Sequence, residues 1–309
     1  MTLGLRNSAD LRSLGIVATY YGLLGTMLFI PDARVLPVLV VACAFSFLTA
    51  VVNHNTMHLG PFESKGLNNA FRCVLSFAAM YPVSANIPSH NLVHHQFDDD
   101  GQDDWAAPNI VNFKWNLLNL IHFPNVAGPL TFAGVNRWMA VKGRGEFRKQ
   151  HTLESVVAFG GTGLLLAYDF WTTLFFIMVP QLWGARSFLR INIIQHDGTD
   201  VSTEWNHSRN FVGRFFNYFM LNNGFHTIHH NRATLHWTLL REAHDKDVAP
   251  RISPELDQAS MAGYLFNTYI LHTGRPVVTT PPPEKALPAL PLPSRAERMA
   301  QAEAASAQL

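Results

Sequence analysis

Nine of the fifteen histidines in this chain fall into three clusters and one outlier, each just after an apolar stretch. His54 and His58 form an H-x-x-x-H pair, and His90, His94 and His95 form H-x-x-x-H-H. His226, His229 and His230 form H-x-x-H-H, and His196 stands alone before them. Imidazole suits iron, copper and zinc, and nine imidazoles exceed what one ion takes but match two. One H-x-x-x-H pair arises easily by chance in so histidine-rich a chain. A His-His doublet preceded at three or four residues by another His is rarer, and two such groups in one chain point to ligation. His196 by itself would read as a hydrogen-bonded interface histidine; its place after an apolar run turns the reading toward ligation. His122, His151, His207, His236, His244 and His272 read as structural or exposed, although His236 and His244 follow the third cluster closely.

Carboxylates and amides lie beside these ligands. Metal-bound imidazoles commonly donate their other N–H to a carboxylate or carbonyl, which fixes the tautomer. Asp98, Asp104, Asp197, Asn192 and Asn223 are therefore candidate supports behind the ligands. The run Asp98 to Asp100 reads equally well as a solvated turn, and Asn222 and Asn223 as a helix cap.

The elements that must position the histidines are apolar. The chain has 309 residues, a formal net charge of +1 and 48% hydrophobic residues, yet its mean hydropathy is only +0.06. Those values suit a few membrane spans attached to a substantial polar portion. Near-zero net charge argues against nucleic acid as the main partner, since that requires a basic surface. Cys43 and Cys73 have no partner at zinc-site or redox spacing and read as small hydrophobes, so any metal is held by nitrogen or oxygen.

Four stretches are expected to cross a bilayer, at 14–30, 35–52, 153–168 and 170–189, the third being short and glycine-rich. The first follows Arg6 and Arg12 as a signal peptide would, but no small-residue cleavage pattern comes after it, so it is read as retained. Very short turns near Pro31 to Arg34 and at Asp169 make each pair a helical hairpin. The long connection between the hairpins carries Lys65, Arg72, Lys114, Arg137, Lys142, Arg144, Arg148 and Lys149, whereas the tips carry only Arg34. The positive-inside tendency then puts that connection and both termini in the cytoplasm, which is the bacterial inner membrane arrangement in a prokaryote. His54 follows Val35 by 19 residues, roughly 28 Å of helix, about the hydrocarbon thickness. His54 and His58 thus emerge at the cytoplasmic boundary on one helical face. His196 follows the fourth span in the same way, with Asn192 four residues before it. The stretches around Leu67 to Val83 and Phe113 to Phe132 are amphipathic and too polar to span. Beyond about residue 275 the chain turns proline- and alanine-rich, and the tail 276–309 is expected to be disordered. The fold class is therefore an all-α, multi-pass membrane domain over 1–275.

With those residues in place, the sequence resembles the membrane fatty acid desaturase superfamily of histidine-box, non-haem di-iron oxidases. The matching text is NHNTMHLGPFESKGLN, SHNLVHHQFDDDGQDDW and NYFMLNNGFHTIHHNRATLHWTLLREAH. The resemblance runs from about residue 35 to 245. It implies four membrane helices under a cytoplasmic cap and a di-iron site. The box histidines carry over to His54, His58, His90, His94, His95, His226, His229 and His230, and His196 to the extra ligand that many members place after the last span. It also implies O2 as co-substrate and attack on an unactivated C–H bond. Electrons would come from a separate donor of ferredoxin or cytochrome b5 type with a reductase, since no fused haem or iron–sulfur segment is visible.

The resemblance leaves the product open, because one fold and metal set serve many substrates. The leading expectation is a desaturase of a fatty acyl chain in lipid metabolism. The runner-up is a hydroxylase or ketolase of a carotenoid or other apolar compound, or a desaturase of a small metabolite. A membrane metal transporter is the remote alternative. Transport sites need ionisable groups along the spans, and the first two apolar runs carry none.

Overall fold

Helix α1 (Asp10–Phe29) opens with an acidic residue facing the positive end of its backbone dipole and stops where Ile30 turns extended before Pro31. Arg34 closes its far end: Nε donates to the Met27 carbonyl at 2.9 Å and Nη2 to Leu28 at 2.9 Å. These are carbonyls that a helix terminus otherwise leaves without partners. A single turn later, α2 (Leu36–His58) begins with a proline in its first turn, where a missing N–H costs nothing. The helix does not end near residue 52, where the apolar run ends, but continues through both histidines of the first pair. The computed structural model describes residues 4–96, 116–200 and 203–273, together with Glu297 and Ala300. Asp98, Asp104 and nearly all of the tail 276–309 lie outside the described residues.

α3 (Lys65–Ala79) is capped by Ser64, whose Oγ accepts from the Leu67 N–H, and ends at Met80 in the left-handed region. Two short turns follow, a widened π turn over Ile87–Asn91 and a tight one over His94–Gln96. α4 (Leu117–Met139) tolerates two internal prolines, Pro124 and Pro129. α5 (Gly145–Ser155), a π turn (Val156–Gly160) and α6 (Gly161–Tyr168) form one uninterrupted helical stretch. Asp169 then breaks the rod and caps the next, accepting from the Thr172 N–H at 3.1 Å. α7 (Phe170–Thr172), another π turn (Thr173–Ile177) and α8 (Met178–His196) carry the chain to the outlying histidine. Shorter helices complete the order: α9 (Arg214–Phe219), α10 (His226–Asn231), α11 (Leu240–Ala243) and α12 (Met261–Leu265). A two-residue parallel pairing joins Asn210–Phe211 to Asp257–Gln258. The protein is mostly helical. Among the described residues one helix, α2, has both the length and the apolarity of a membrane span, with a mean hydropathy of 2.2 over its most apolar window.

The described residues divide into two compact units, one of 4–88 and 135–188 and the other of 89–96, 116–134, 189–200 and 203–273. In the first, Tyr20, Leu24 and Met27 of α1 pack with Ala42, Ala78 and Ile177. Gly184 lies so close to Ser46 that a Cβ there would strike the serine, whose Oγ donates to the Pro180 carbonyl. At the hairpin tips Arg34 and Asp169 approach to 3.7 Å. A second, polar centre joins α3 to α5: Glu154, fully buried, accepts from the Ser84 N–H at 2.8 Å, from Gln150 at 2.8 Å and from Arg72 at 3.4 Å. In the other unit, Phe123, Ile193, Phe211, Tyr264 and Tyr269 form one apolar cluster, and Phe225, Ile228, Leu240 and Val248 another.

Candidate metal centre

The first unit contributes one pair of sequence-predicted ligands. His54 and His58 occupy the last turns of α2, both buried, with ring centroids 5.2 Å apart. Their spacing of four puts them on one face, and α2 holds them rigidly because its helix runs to His58 before the chain turns at Leu59.

The second unit brings the other seven together. His94, His196, His226 and His230 are buried, and each offers one ring nitrogen such that all four lie within 4.8 Å of one another. His226 is the hub: its Nε2 is 2.9 Å from Nε2 of His196 and 3.1 Å from Nε2 of His230. His90, His95 and His229 form a further group on the same 4.8 Å criterion, with Nε2 of His90 and His95 3.0 Å apart. The groups abut through His95 and His230, whose rings stack at 4.1 Å. Each His-His doublet is thus split. His94 and His230 face one group, and His95 and His229 face the other, because successive residues on a helical turn point about 100–120° apart. The doublets were visible in the sequence; their division between two groups was not.

Two observations test whether these residues fit a metal. Adjacent nitrogens around one ion at roughly 2.0–2.1 Å are about 2.9–3.4 Å apart, which is the spacing found around His226. The tautomer also fits. Nδ1 of His196 faces the His207 carbonyl at 3.0 Å and so carries the proton, leaving the Nε2 lone pair directed into the cluster. Burial, reinforced by neighbouring imidazoles with His94 first, holds His196 well below the ordinary imidazole range. Burial likewise depresses His230, reinforced chiefly by His95 and His226. Both are neutral at pH 7, the form that binds metal. The donor set is all imidazole, which suits iron, copper or zinc.

The surrounding chain explains how these rings are held. Before α10 the backbone makes a tight turn with Leu221 and Asn222 at φ 47° and 58°. At Gly224 a Cβ would strike the Phe211 carbonyl and the Asn217 amide, so only glycine fits. Asn223 donates to the Met220 carbonyl at 2.8 Å, and its own carbonyl accepts from Gln195 at 3.1 Å. It therefore braces the turn that delivers the third histidine group. Asn192 is buried one helical turn before His196. Asp197 has a different role from the one its position suggests. Its carboxylate is taken up by Arg209, Tyr264 and Tyr269, all buried, while the His196 ring is oriented by the His207 carbonyl.

Burial, then the Asp197 charge, raises both phenols, which stay protonated donors across the ordinary pH range. Sequence reading missed Arg209, Tyr264, Tyr269 and the His207 carbonyl, none of which belongs to a histidine motif. Outside the clusters, His236 accepts from the Thr238 N–H at 3.3 Å and His244 pairs with Asp257 at 3.3 Å. His151 bonds Ser84 at 3.1 Å. Tyr269→Phe removes one donor from a buried carboxylate and is expected to lower stability by about 1–3 kcal/mol. Thermal unfolding of the variant beside the parent checks this.

The fatty acid desaturase family model matches residues 33–259, from the start of α2 through the short parallel pairing. The chain belongs to the fatty acid desaturase family. Its members are oxygen-dependent di-iron oxidoreductases, generally membrane-bound, that act on apolar acyl substrates with a redox partner. No match was found among curated proteins or among solved structures.

Proposed function

We propose that the protein is an iron-dependent desaturase that inserts a double bond into a fatty acyl chain. In this reading His94, His196, His226 and His230 hold one iron, His90, His95 and His229 belong to the set that holds the other, and His54 and His58 are ligands as the remaining members of the histidine boxes. The observation that carries it is the convergence of ring nitrogens at 2.9–3.1 Å on two abutting groups within one unit. Two irons held by these imidazoles would supply, with O2, an oxidant able to attack an unactivated C–H bond. The overall balance is one CH2–CH2 unit, one O2, two electrons and two protons giving one CH=CH unit and two waters. The two electrons come from a separate donor of ferredoxin or cytochrome b5 type with its reductase. The chain's own residues bind the ions as neutral imidazoles, fix their tautomers through groups such as the His207 carbonyl, and keep the ligands dry.

The topology proposed with it is four spans at about 14–30, 35–52, 153–168 and 170–189, with both termini cytoplasmic. It is supported by large apolar side chains left facing outward along those stretches. Phe29 is 67% exposed, Leu36 70%, Leu164 75%, Tyr168 70% and Trp171 66%, a pattern suited to lipid.

Expression of the chain in a host with its native redox proteins, followed by gas chromatography of total acyl chains, tests the proposal. A new unsaturated acyl species is expected, absent when His226→Ala is expressed instead. An unchanged acyl profile with an oxygenated pigment or an altered small metabolite would overturn the acyl assignment in favour of the hydroxylase, ketolase or metabolite reading. Stoichiometric zinc without iron would sink the di-iron assignment itself.

A further inference from the structure

Within the first unit a cavity of about 370 Å³ opens beside the first histidine pair, with His58 in its wall. Its size lies within the range of small-molecule sites. Its lining is unusual for a chain of near-neutral charge: Arg6, Lys65 and Arg72 contribute three cations, and Glu63 is the one carboxylate. These cations come from different segments, and the fold holds them in place. The Arg6 N–H donates to the Pro61 carbonyl at 2.9 Å, and its guanidinium Nε donates to the Gly60 carbonyl at 3.0 Å. Leu5 and Phe62 pair as a β-bridge, so the segment before α1 is strapped to the turn before α3. Arg72 is 2% exposed, and its Nε and Nη2 are engaged by Glu154 and Asn69 behind it. Neither contact uses Nη1. Lys65 stands in the first turn of α3, where backbone N–H groups and the helix dipole also favour an anion. Among the described residues no carboxylate forms a close ion pair with Lys65 or Arg6, although Glu146 lies within the field of Lys65.

We propose that this cavity binds the phosphate group at the polar end of the substrate. An ammonium on an exposed stem, a second guanidinium at Arg6 and a helix N-terminus are recurring elements of phosphate recognition, and Arg72, already paired with Glu154, adds at most its Nη1. The buried face of α2 supplies Thr56 and Met57 to the same wall as His58, so a chain leaving the phosphate passes the ligand-bearing end of α2. The inference deepens the desaturase reading by naming the head of its substrate. Its test reads binding, without iron or turnover, so a failed binding assay and a failed activity assay overturn different statements.

The test is calorimetric titration of the full chain in neutral detergent at low salt, with inorganic pyrophosphate and with dihexanoyl phosphatidic acid. Saturable binding of at least one probe is expected. Lys65→Gln, at an exposed side chain, should weaken it by about tenfold with an unchanged melting temperature, and the double variant with Arg6→Gln should weaken it further. Glu63→Gln should strengthen it by removing the opposing charge. Binding of the lipid probe alone identifies a lipid headgroup, and binding of both identifies a soluble phosphate-bearing carrier. Failure of both probes to bind, or equal affinity in the parent and the double variant, overturns the proposal.

Discussion

In the di-iron desaturase reading proposed above, His226→Ala is expected to lower the iron bound per chain and to abolish desaturation. The reason is geometric. Nε2 of His226 is the atom on which two others converge, at 2.9 Å from His196 and 3.1 Å from His230. Its removal leaves those two imidazoles and His94 without the nitrogen that completes the set. Loss of an outer partner of a metal ligand costs roughly 10–100-fold in affinity or activity, and loss of a converging ligand should exceed that. Iron per chain, measured on purified protein by elemental analysis, should fall in step with product formed. Helical content by circular dichroism should be retained, because α10 is one short helix among many. Full iron content and turnover in His226→Ala would refute the assignment of this cluster. His244→Ala is the matched control: it removes a histidine buried against Phe225 and paired with Asp257, and iron content should stay at the parent value.

The second large effect belongs to stability. Asp197→Ala is expected to destabilise the protein by about 3–5 kcal/mol, because it leaves the Arg209 guanidinium uncompensated in a dry interior. Arg209 is fully buried, with Nη1 donating to the Ile194 carbonyl at 2.8 Å and Nη2 to the Asp197 carbonyl at 2.8 Å. Its ring-face contact with Tyr264, at 4.2 Å from the centroid, adds to the confinement. Those backbone bonds keep the cation in place after the carboxylate is gone, so it cannot escape to water. The paired variant Asp197→Ala with Arg209→Met removes both charges and should recover much of the loss, since apolar replacement of a buried pair is often near neutral. Thermal unfolding of the parent, both single variants and the double variant measures the coupling. Additive losses would mean that the pair contributes nothing as a pair.

The sequence made the histidines legible because metal ligation needs a particular residue type at helical spacing, and both are local properties. The same locality made the helices readable: α2 and α8 each end on a histidine, His58 and His196, that follows an apolar run in the sequence. What could not be read were relations between distant segments. Asp197 follows a ligand and so suggested a partner for its ring, yet it meets tyrosines 67 and 72 residues further along the chain. No local pattern marks Tyr264 or Tyr269 for that role, since a tyrosine in an apolar stretch reads as core. The division of each doublet was hidden for a different reason. Spacing says which residues share a face, but where two faces converge in space depends on how two short turns pack. Gly224, two residues before His226, is a local trace of the close backbone approach that delivers this group.

The stacked rings of His95 and His230 carry a consequence for how the protein acquires its metal. His94 and His95 share one short turn, and His229 and His230 share another, so ordering either turn prepares a ligand for each ion at once. In the two-ion reading proposed above, an ion bound to one group would also hold the turns that carry ligands of the other. Maturation should then run as a cooperative step, with empty and fully loaded molecules abundant and half-loaded ones scarce. On the proposed assignment, a population of such molecules under iron limitation should divide into loaded and empty fractions instead of sharing the metal evenly.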